Sequence, residues 1–296
     1  MRRRRALAAV TALAGTATAG LTSSQTGNDR LLSVARTPGE GGEASTSTER
    51  LLPGTVHETP LYAIESQRDG PTAMVFGGIH GDERSGIRVA HEVADWHPDA
   101  GTIVVVPETN RVAVENDTRR GTSGDLNRQF PGDESPTTSL AAGIWDAVER
   151  YDPDVVLDLH RSLGIYGLHR EYVGQVVFHS AAARGKPLVD ALNDDAVPWY
   201  LPFHRFTAQE STAGGPLLFQ KAAHELDAAT YLFETTEFLL DQATRTQQAR
   251  LVTAHVLALH GLLEFEQAPA NSTPSNTQAK TAADSTETSS ETRADS

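Results

Sequence analysis

The chain has no cysteine. Disulfides, thiolate metal sites and cysteine nucleophiles are therefore excluded, and any metal held here must be bound by histidine and carboxylate. Lysine is nearly missing, limited to Lys186, Lys221 and Lys280. Almost all positive charge is therefore arginine, and acids outnumber bases 39 to 25 for a net charge of −14. Removing the four arginines Arg2 to Arg5 takes that charge to −18. Such a surface suits high salt and opposes nonspecific binding to nucleic acid. Long apolar runs are lacking too, so no stable membrane insertion is expected.

What is present begins with a basic stretch, Met1 to Arg5, then a short apolar segment and an Ala-x-Ala ending by Ala19. These are the parts of a signal peptide. The paired arginines suit the twin-arginine route and export, with a basic tail on a cytoplasmic protein as the alternative. Residues 21–52 are rich in Thr, Ser, Gly and Glu and read as linker, and residues 267–296 as a disordered tail. Between them, residues 53–266 alternate strand and helix patterns, which predicts one α/β domain with helices on both faces of a sheet. Leu61 to Ser66 and Thr72 to Phe76 read as a strand pair joined by a turn at Arg68-Asp69-Gly70-Pro71. Thr102 to Pro107, Val155 to His160, Val173 to Phe178 and Thr230 to Phe233 read as further strands. Helices are expected near Ser85–Trp96, Thr138–Tyr151, Ala181–Asn193, Gly214–Glu225 and Thr244–Phe265, and a long irregular loop over 110–132.

The stretch Gly77-Gly78-Ile79-His80-Gly81-Asp82-Glu83 ends the run Thr72 to Phe76 and opens the first helix. It delivers His80 and Glu83 beyond the carboxyl end of a strand, where ligands of open α/β sheets bind. A His and a Glu at this spacing can ligate one zinc ion. Val155-Val156-Leu157-Asp158-Leu159-His160 is a second apolar run ending in a histidine, and Asp125-Leu126-Asn127-Arg128-Gln129-Phe130-Pro131-Gly132 is a polar loop with an Asn-Arg pair.

Together these three stretches resemble the aspartoacylase/succinylglutamate desuccinylase family of the zinc carboxypeptidase superfamily, over about residues 55–265. The resemblance implies a mixed, mostly parallel central sheet and one zinc ion on His80, Glu83 and His160, with the fourth position left for water. It implies Glu234 as general base at the end of an apolar strand, with Glu237 as the competitor. It further implies Arg120, seven residues before Asn127, as the group that polarises the scissile carbonyl, with Arg119 the adjacent candidate. Asn127 and Arg128 match the family's pair that holds a substrate carboxylate. Asp125 is expected to support His80 through its other ring nitrogen, and Asp158 has a similar claim. The expected activity is hydrolysis of an amide in a small carboxylate-bearing substrate, an N-acyl amino acid first, a peptide trimmed by a carboxypeptidase second. A non-catalytic module that binds a metal or a carboxylate is the reading from another class. The family's C-terminal β-rich region has no counterpart after Phe238, where the chain reads as helical, so an open site is expected.

Overall fold

A computed structural model describes residues 44–212 and 214–264. The expected leader, most of the linker and the C-terminal tail lie outside the described residues. Eight strands form one sheet: β1 (Ser45–Leu51), β2 (Thr59–Glu65), β3 (Thr72–Phe76), β4 (Thr102–Val106), β5 (Val155–Ser162), β6 (Val176–His179), β7 (Thr207–Glu210) and β8 (Ala229–Thr236). The helices are α1 (Arg84–Val93), α2 (Arg111–Asn116), α3 (Ser139–Tyr151), α4 (Gly185–Ala196), α5 (Leu218–Leu226) and α6 (Gln242–Leu259), with short 3₁₀ turns at Leu126–Arg128 and Pro202–His204. The strand order is β1-β2-β4-β3-β5-β8-β6-β7. β4, β3, β5 and β8 run parallel, as do β6 and β7, while the β1–β2, β2–β4 and β6–β8 pairs are antiparallel.

The parallel centre follows from composition. Ala73 to Phe76 and Ile103 to Val106 are fully buried, as expected of strands covered on both faces. Successive side chains go to opposite faces. Val75, Leu157, Leu159, Tyr231 and Phe233 meet α1, α4 and α6 in one apolar layer. Met74, Phe76 and Val156 meet α3, α5 and the loop residues Leu126 and Phe130 in the other. By the same alternation Asp158 and His160 of β5 and Glu234 of β8 point to the α3–α5 side, with His160 opposite Glu234 in register.

Three details depart from the sequence reading. β2 and β3 do not pair as a hairpin, because β4 lies between them. The 110–132 stretch is not wholly irregular, since it holds α2, whose first turn is capped by the Asn110 side chain accepting from the Ala113 N–H. Part of the presumed linker is β1, an edge strand paired with β2 over its whole length. Its Ser, Thr and Glu residues face solvent and only Leu51 is buried, so its composition is that of a linker. The side chain of Glu49 on this strand accepts from Arg150 and Tyr151 of α3 at 2.6 and 2.8 Å, which ties the edge to a helix.

The turn after β3 is packed too closely for any side chain but hydrogen at one position. A Cβ on Gly81 would stand 2.0 Å from the Ala113 carbonyl carbon and oxygen. The Gly81 N–H also donates to the Thr118 carbonyl at 2.9 Å. Gly81→Ala is therefore expected to push α2 off the turn and to cost at least about 3 kcal/mol, read as a lower urea midpoint. An unchanged midpoint would contradict this packing.

Candidate metal and catalytic site

His80 and Glu83 sit in the turn between β3 and α1, and His160 near the end of β5. Glu83 is the residue before the first turn of α1, yet its side chain makes no capping bond. Its carboxylate instead spans the two imidazoles: Oε1 lies 2.8 Å from His80 Nδ1, and Oε2 lies 2.8 Å from His160 Nδ1. All three side chains are 1–2% exposed. One ligand atom from each lies within 4.8 Å of the others, close enough to converge on a single ion. Two neutral imidazole nitrogens and a carboxylate oxygen are the donor set of a catalytic zinc site, so these residues fit such a metal.

The ring nitrogen of His80 turned away from Glu83 is held by Asp125. His80 Nε2 lies 3.0 Å from Asp125 Oδ1, the place the sequence reading gives this aspartate. The same oxygen accepts from the Asn127 N–H and caps the Leu126–Arg128 turn. Asn127 is buried, its Nδ2 3.4 Å from His160 Nε2 and its Oδ1 accepting from the Leu218 N–H at 3.4 Å. Arg128 is exposed, and its guanidinium donates only to the Asn127 carbonyl. Asp158 differs from Asp125: it is fully buried on the same strand as His160, and its carboxylate has no side-chain hydrogen-bond partner among the described residues, with only the Phe219 backbone N–H near it.

The two arginines of the loop part company. Arg119 reaches the cluster, 3.5 Å from Glu83 and 3.6 Å from Asp125. Arg120, the one expected there, is exposed, and its guanidinium has no hydrogen-bond or ion-pair partner among the described residues. The two candidate bases also separate. Glu237 is exposed and paired with Arg161. Glu234 faces His160 in the β5–β8 register, with Oε2 buried and unpartnered.

Two contributors escaped the sequence reading. Arg161 pairs with Asp82 as well as Glu237 and so ties the His80–Glu83 turn to the end of β8. Its only signal in the sequence is that it follows His160. The other is Lys221, a buried lysine on α5.

Burial dominates the electrostatics. It pushes the Glu234 and Asp158 carboxyls up to about 7. Burial also opposes charge on His160 and Glu83, but their contact overrides it. His160 is lifted to about 9 by the Glu83 carboxylate, and Glu83 is held down at about 2 by His160 and His80. The hydrogen bond with His80 holds Asp125 well below the usual carboxylate range, helped by Arg119 and Arg128.

These shifts have a direction in metal-free protein. Glu234 and Asp158 keep their protons in the fold up to about 7, whereas the unfolded chain releases them near 4.5 and 3.8, so they weaken the fold as pH rises across that range. The His160 contribution is complete below 6.5 and is lost as pH rises through about 9. The Glu83 contribution is complete above 4.5 and is lost as pH falls towards about 2. Calorimetry of chelator-treated protein should therefore show Tm highest near pH 5 and falling towards pH 9, about where these ranges meet. A Tm that climbs over that range would contradict the assigned burial.

A mixed sheet whose parallel strands carry His80, Glu83, His160 and Glu234 at or just beyond their carboxyl ends defines an α/β domain with a candidate metal site there. The family model of the succinylglutamate desuccinylase/aspartoacylase catalytic domain matches residues 69–213, just under half of the chain. The match takes in the site residues from His80 to Arg161, while Lys221, Glu234 and Glu237 lie outside it. The N-alpha-acetyl-L-2,4-diaminobutyric acid deacetylase of Halomonas elongata is 37% identical over 103 residues, covering 33% of this chain and 30% of that protein. The chain thus matches less than a third of that relative's length. The product-bound ectoine utilization protein EutE (DoeB) of Ruegeria pomeroyi shares the fold at a TM-score of 0.55 and 19% identity, over 79% of this chain and 72% of that one. The tripeptide-bound cell shape determinant Csd4 of Helicobacter pylori shares it at 0.57 and 18%, over 75% and 57%.

Among the described residues no helix is long and apolar enough to cross a membrane.

Proposed function

We propose that the protein is a zinc-dependent deacylase that hydrolyses the amide of an N-acyl amino acid. The observation that carries this reading is the buried convergence of His80, Glu83 and His160, flanked by Asp125, Asn127 and a Glu234 whose Oε2 has no partner among the described residues, in a chain that matches the family's catalytic-domain model over residues 69–213. His80 Nδ1, His160 Nδ1 and a Glu83 oxygen would hold the metal. When bound, zinc supplies a Lewis acid for the scissile carbonyl and brings the pKa of a water near neutrality. Asp125 fixes the orientation and tautomer of His80. Glu234, kept basic enough by burial to exchange a proton near pH 7, takes the proton from the attacking water and passes it to the leaving nitrogen. Arg128, exposed and in no ion pair among the described residues, grips the substrate carboxylate, and Asn127 orients it.

Arg120 and Arg119 divide the remaining work. An arginine already paired with Glu83 and Asp125 is poorly placed to leave them, so Arg119 balances the charge of the cluster. Arg120, free of partners among the described residues, stabilises the oxyanion. Arg120→Ala is expected to lower kcat about a hundredfold and Arg119→Ala about tenfold or less. Steady-state rates showing the reverse order would move the oxyanion role to Arg119.

The test of the substrate class is amine release from a panel of N-acyl amino acids and short peptides, with and without a free carboxylate. Release from acyl amino acids that is lost when the carboxylate is amidated supports the reading. Release from peptides alone makes the protein a carboxypeptidase. The absence of any release from either set, with zinc bound, would favour a binding module.

A further inference from the structure

We propose that Lys221 is a positioning residue for the substrate-carboxylate grip, fastening helix α5 to the loop that carries Asn127 and Arg128. The proposal rests on the role given to Arg128 above. Lys221 is 1% exposed, and its side-chain nitrogen donates to the carbonyls of Pro131 and Glu134, both at 2.9 Å, and to the Glu225 carboxylate one turn along the helix. It also lies 4.8 Å from the centre of the Trp145 ring on α3. Burying an amino group is costly unless every donor finds a partner. Here the partners are backbone carbonyls four and seven residues beyond Asn127, so the loop, rather than the helix alone, provides the satisfaction.

The same two segments meet at further points. The Phe130 N–H donates to the Pro216 carbonyl at 3.0 Å, and the Leu218 N–H donates to Asn127 Oδ1. A Cβ on Gly132 would come within 2.5 Å of the Gly214 Cα, so the backbones are in contact there. The loop also has its own ties: Gln129 Nε2 donates to the Ser123 carbonyl upstream, and downstream Thr138 donates to Gln129 Oε1 and the Thr137 N–H to the Gln129 carbonyl. Among the described residues the Arg128 guanidinium forms no ion pair and donates to the Asn127 carbonyl, with Asp125 acting on it only through space. The position of that long side chain is therefore set by the backbone of residues 126–134, whose downstream half is clamped from α5 by buried Lys221 and, at the surface, by the His224 contact with Asp133 at 2.7 Å. A small displacement of a binding group costs much in productive orientation.

The test uses the full chain and two variants, Lys221→Met, which keeps the apolar stem and removes the donor, and Glu225→Gln, which weakens the clamp from the surface. Amide hydrogen exchange and zinc content are measured on both, with steady-state kinetics on N-acetyl-L-glutamate. In Lys221→Met, exchange at the Arg128, Gln129 and Phe130 amides should quicken at least about tenfold, with zinc content unchanged. KM should rise about tenfold with kcat held within about twofold, and Glu225→Gln should shift both readouts in the same direction by less. Exchange that quickens evenly over the chain, or stays unchanged at those three amides, would overturn the proposal. So would a fall in kcat at constant KM. If the wild type does not turn over the probe, the deacylase reading fails on that substrate while exchange still decides the clamp. If Lys221→Met does not fold, Glu225→Gln decides it.

Discussion

Replacing Glu234 with glutamine is expected to lower kcat about a thousandfold while zinc stays bound at the wild-type stoichiometry. The expectation comes from position before chemistry. Glu234 lies opposite His160 in the β5–β8 pairing, on the face that carries the His80–Glu83–His160 cluster. Its Oε2 is buried without a partner among the described residues, so the oxygen is not spent on holding the fold together. Burial raises its carboxyl to about 7, the range in which a group can both accept and return a proton at neutral pH. Glutamine keeps the shape and removes the exchangeable proton site. Glu237→Gln is the matched control. That carboxylate is exposed and engaged by Arg161, so its loss should change kcat by no more than about threefold. Equal losses in the two variants would remove Glu234 from the role.

The second large effect belongs to His160→Ala, which should abolish zinc binding and turnover together and destabilise the fold. The imidazole is one of two that share the Glu83 carboxylate, and the pair is buried to within 1–2%. Without it, Glu83 keeps only His80 and the more distant Arg119 at 3.5 Å. Breaking a buried pair leaves an uncompensated charge and costs about 3–5 kcal/mol. Zinc content by elemental analysis and a urea titration read the two effects separately. His91→Ala should do neither, because that imidazole is exposed on α1 and meets only Glu108. A His160→Ala protein that retains zinc would exclude the residue as a ligand.

The parts of the site that were legible in the sequence are those delivered by strands. β3, β4 and β5 are apolar runs buried on both faces, and such runs announce both their own position and the residues that follow them. His80, Glu83 and His160 could thus be read from where each run ends. Asp125 was read through the family resemblance as a support for His80, and its oxygen both lies 3.0 Å from His80 Nε2 and caps the Leu126–Arg128 turn. The order of the strands was not legible. β2 and β3 adjoin in sequence and look like a hairpin, but the parallel pairing of β3 with β4 forms through a distant contact that no local pattern encodes. β1 and β7 hid because edge strands need few apolar residues, and apart from Leu51 and Ala208 theirs are Ser, Thr, Gln, Glu and Arg.

Side-chain direction in an aperiodic loop was equally beyond reach. Arg119 and Arg120 are neighbours of one type, and only packing of the loop against Gly81 and Asp125 decides which guanidinium meets Glu83. Lys221 was hidden by its type. A lysine between Leu218 and Ala222 in a helix reads as a surface residue, and its burial depends on carbonyls about ninety residues away in the chain. The lack of cysteine, by contrast, limited the possible metal donors to histidine and carboxylate before any fold was known, and the one clustered candidate set among the described residues is His, Glu and His.

The most direct measurement is the initial rate of amine release from an N-acyl amino acid by one sample in three states: as purified, after chelation, and after zinc is added back in steps. The deacylase reading predicts that chelation removes the rate and that it returns in proportion to added zinc, reaching its plateau at about one equivalent per chain. A rate that survives chelation, or that returns equally well in the Glu234→Gln protein, would contradict it.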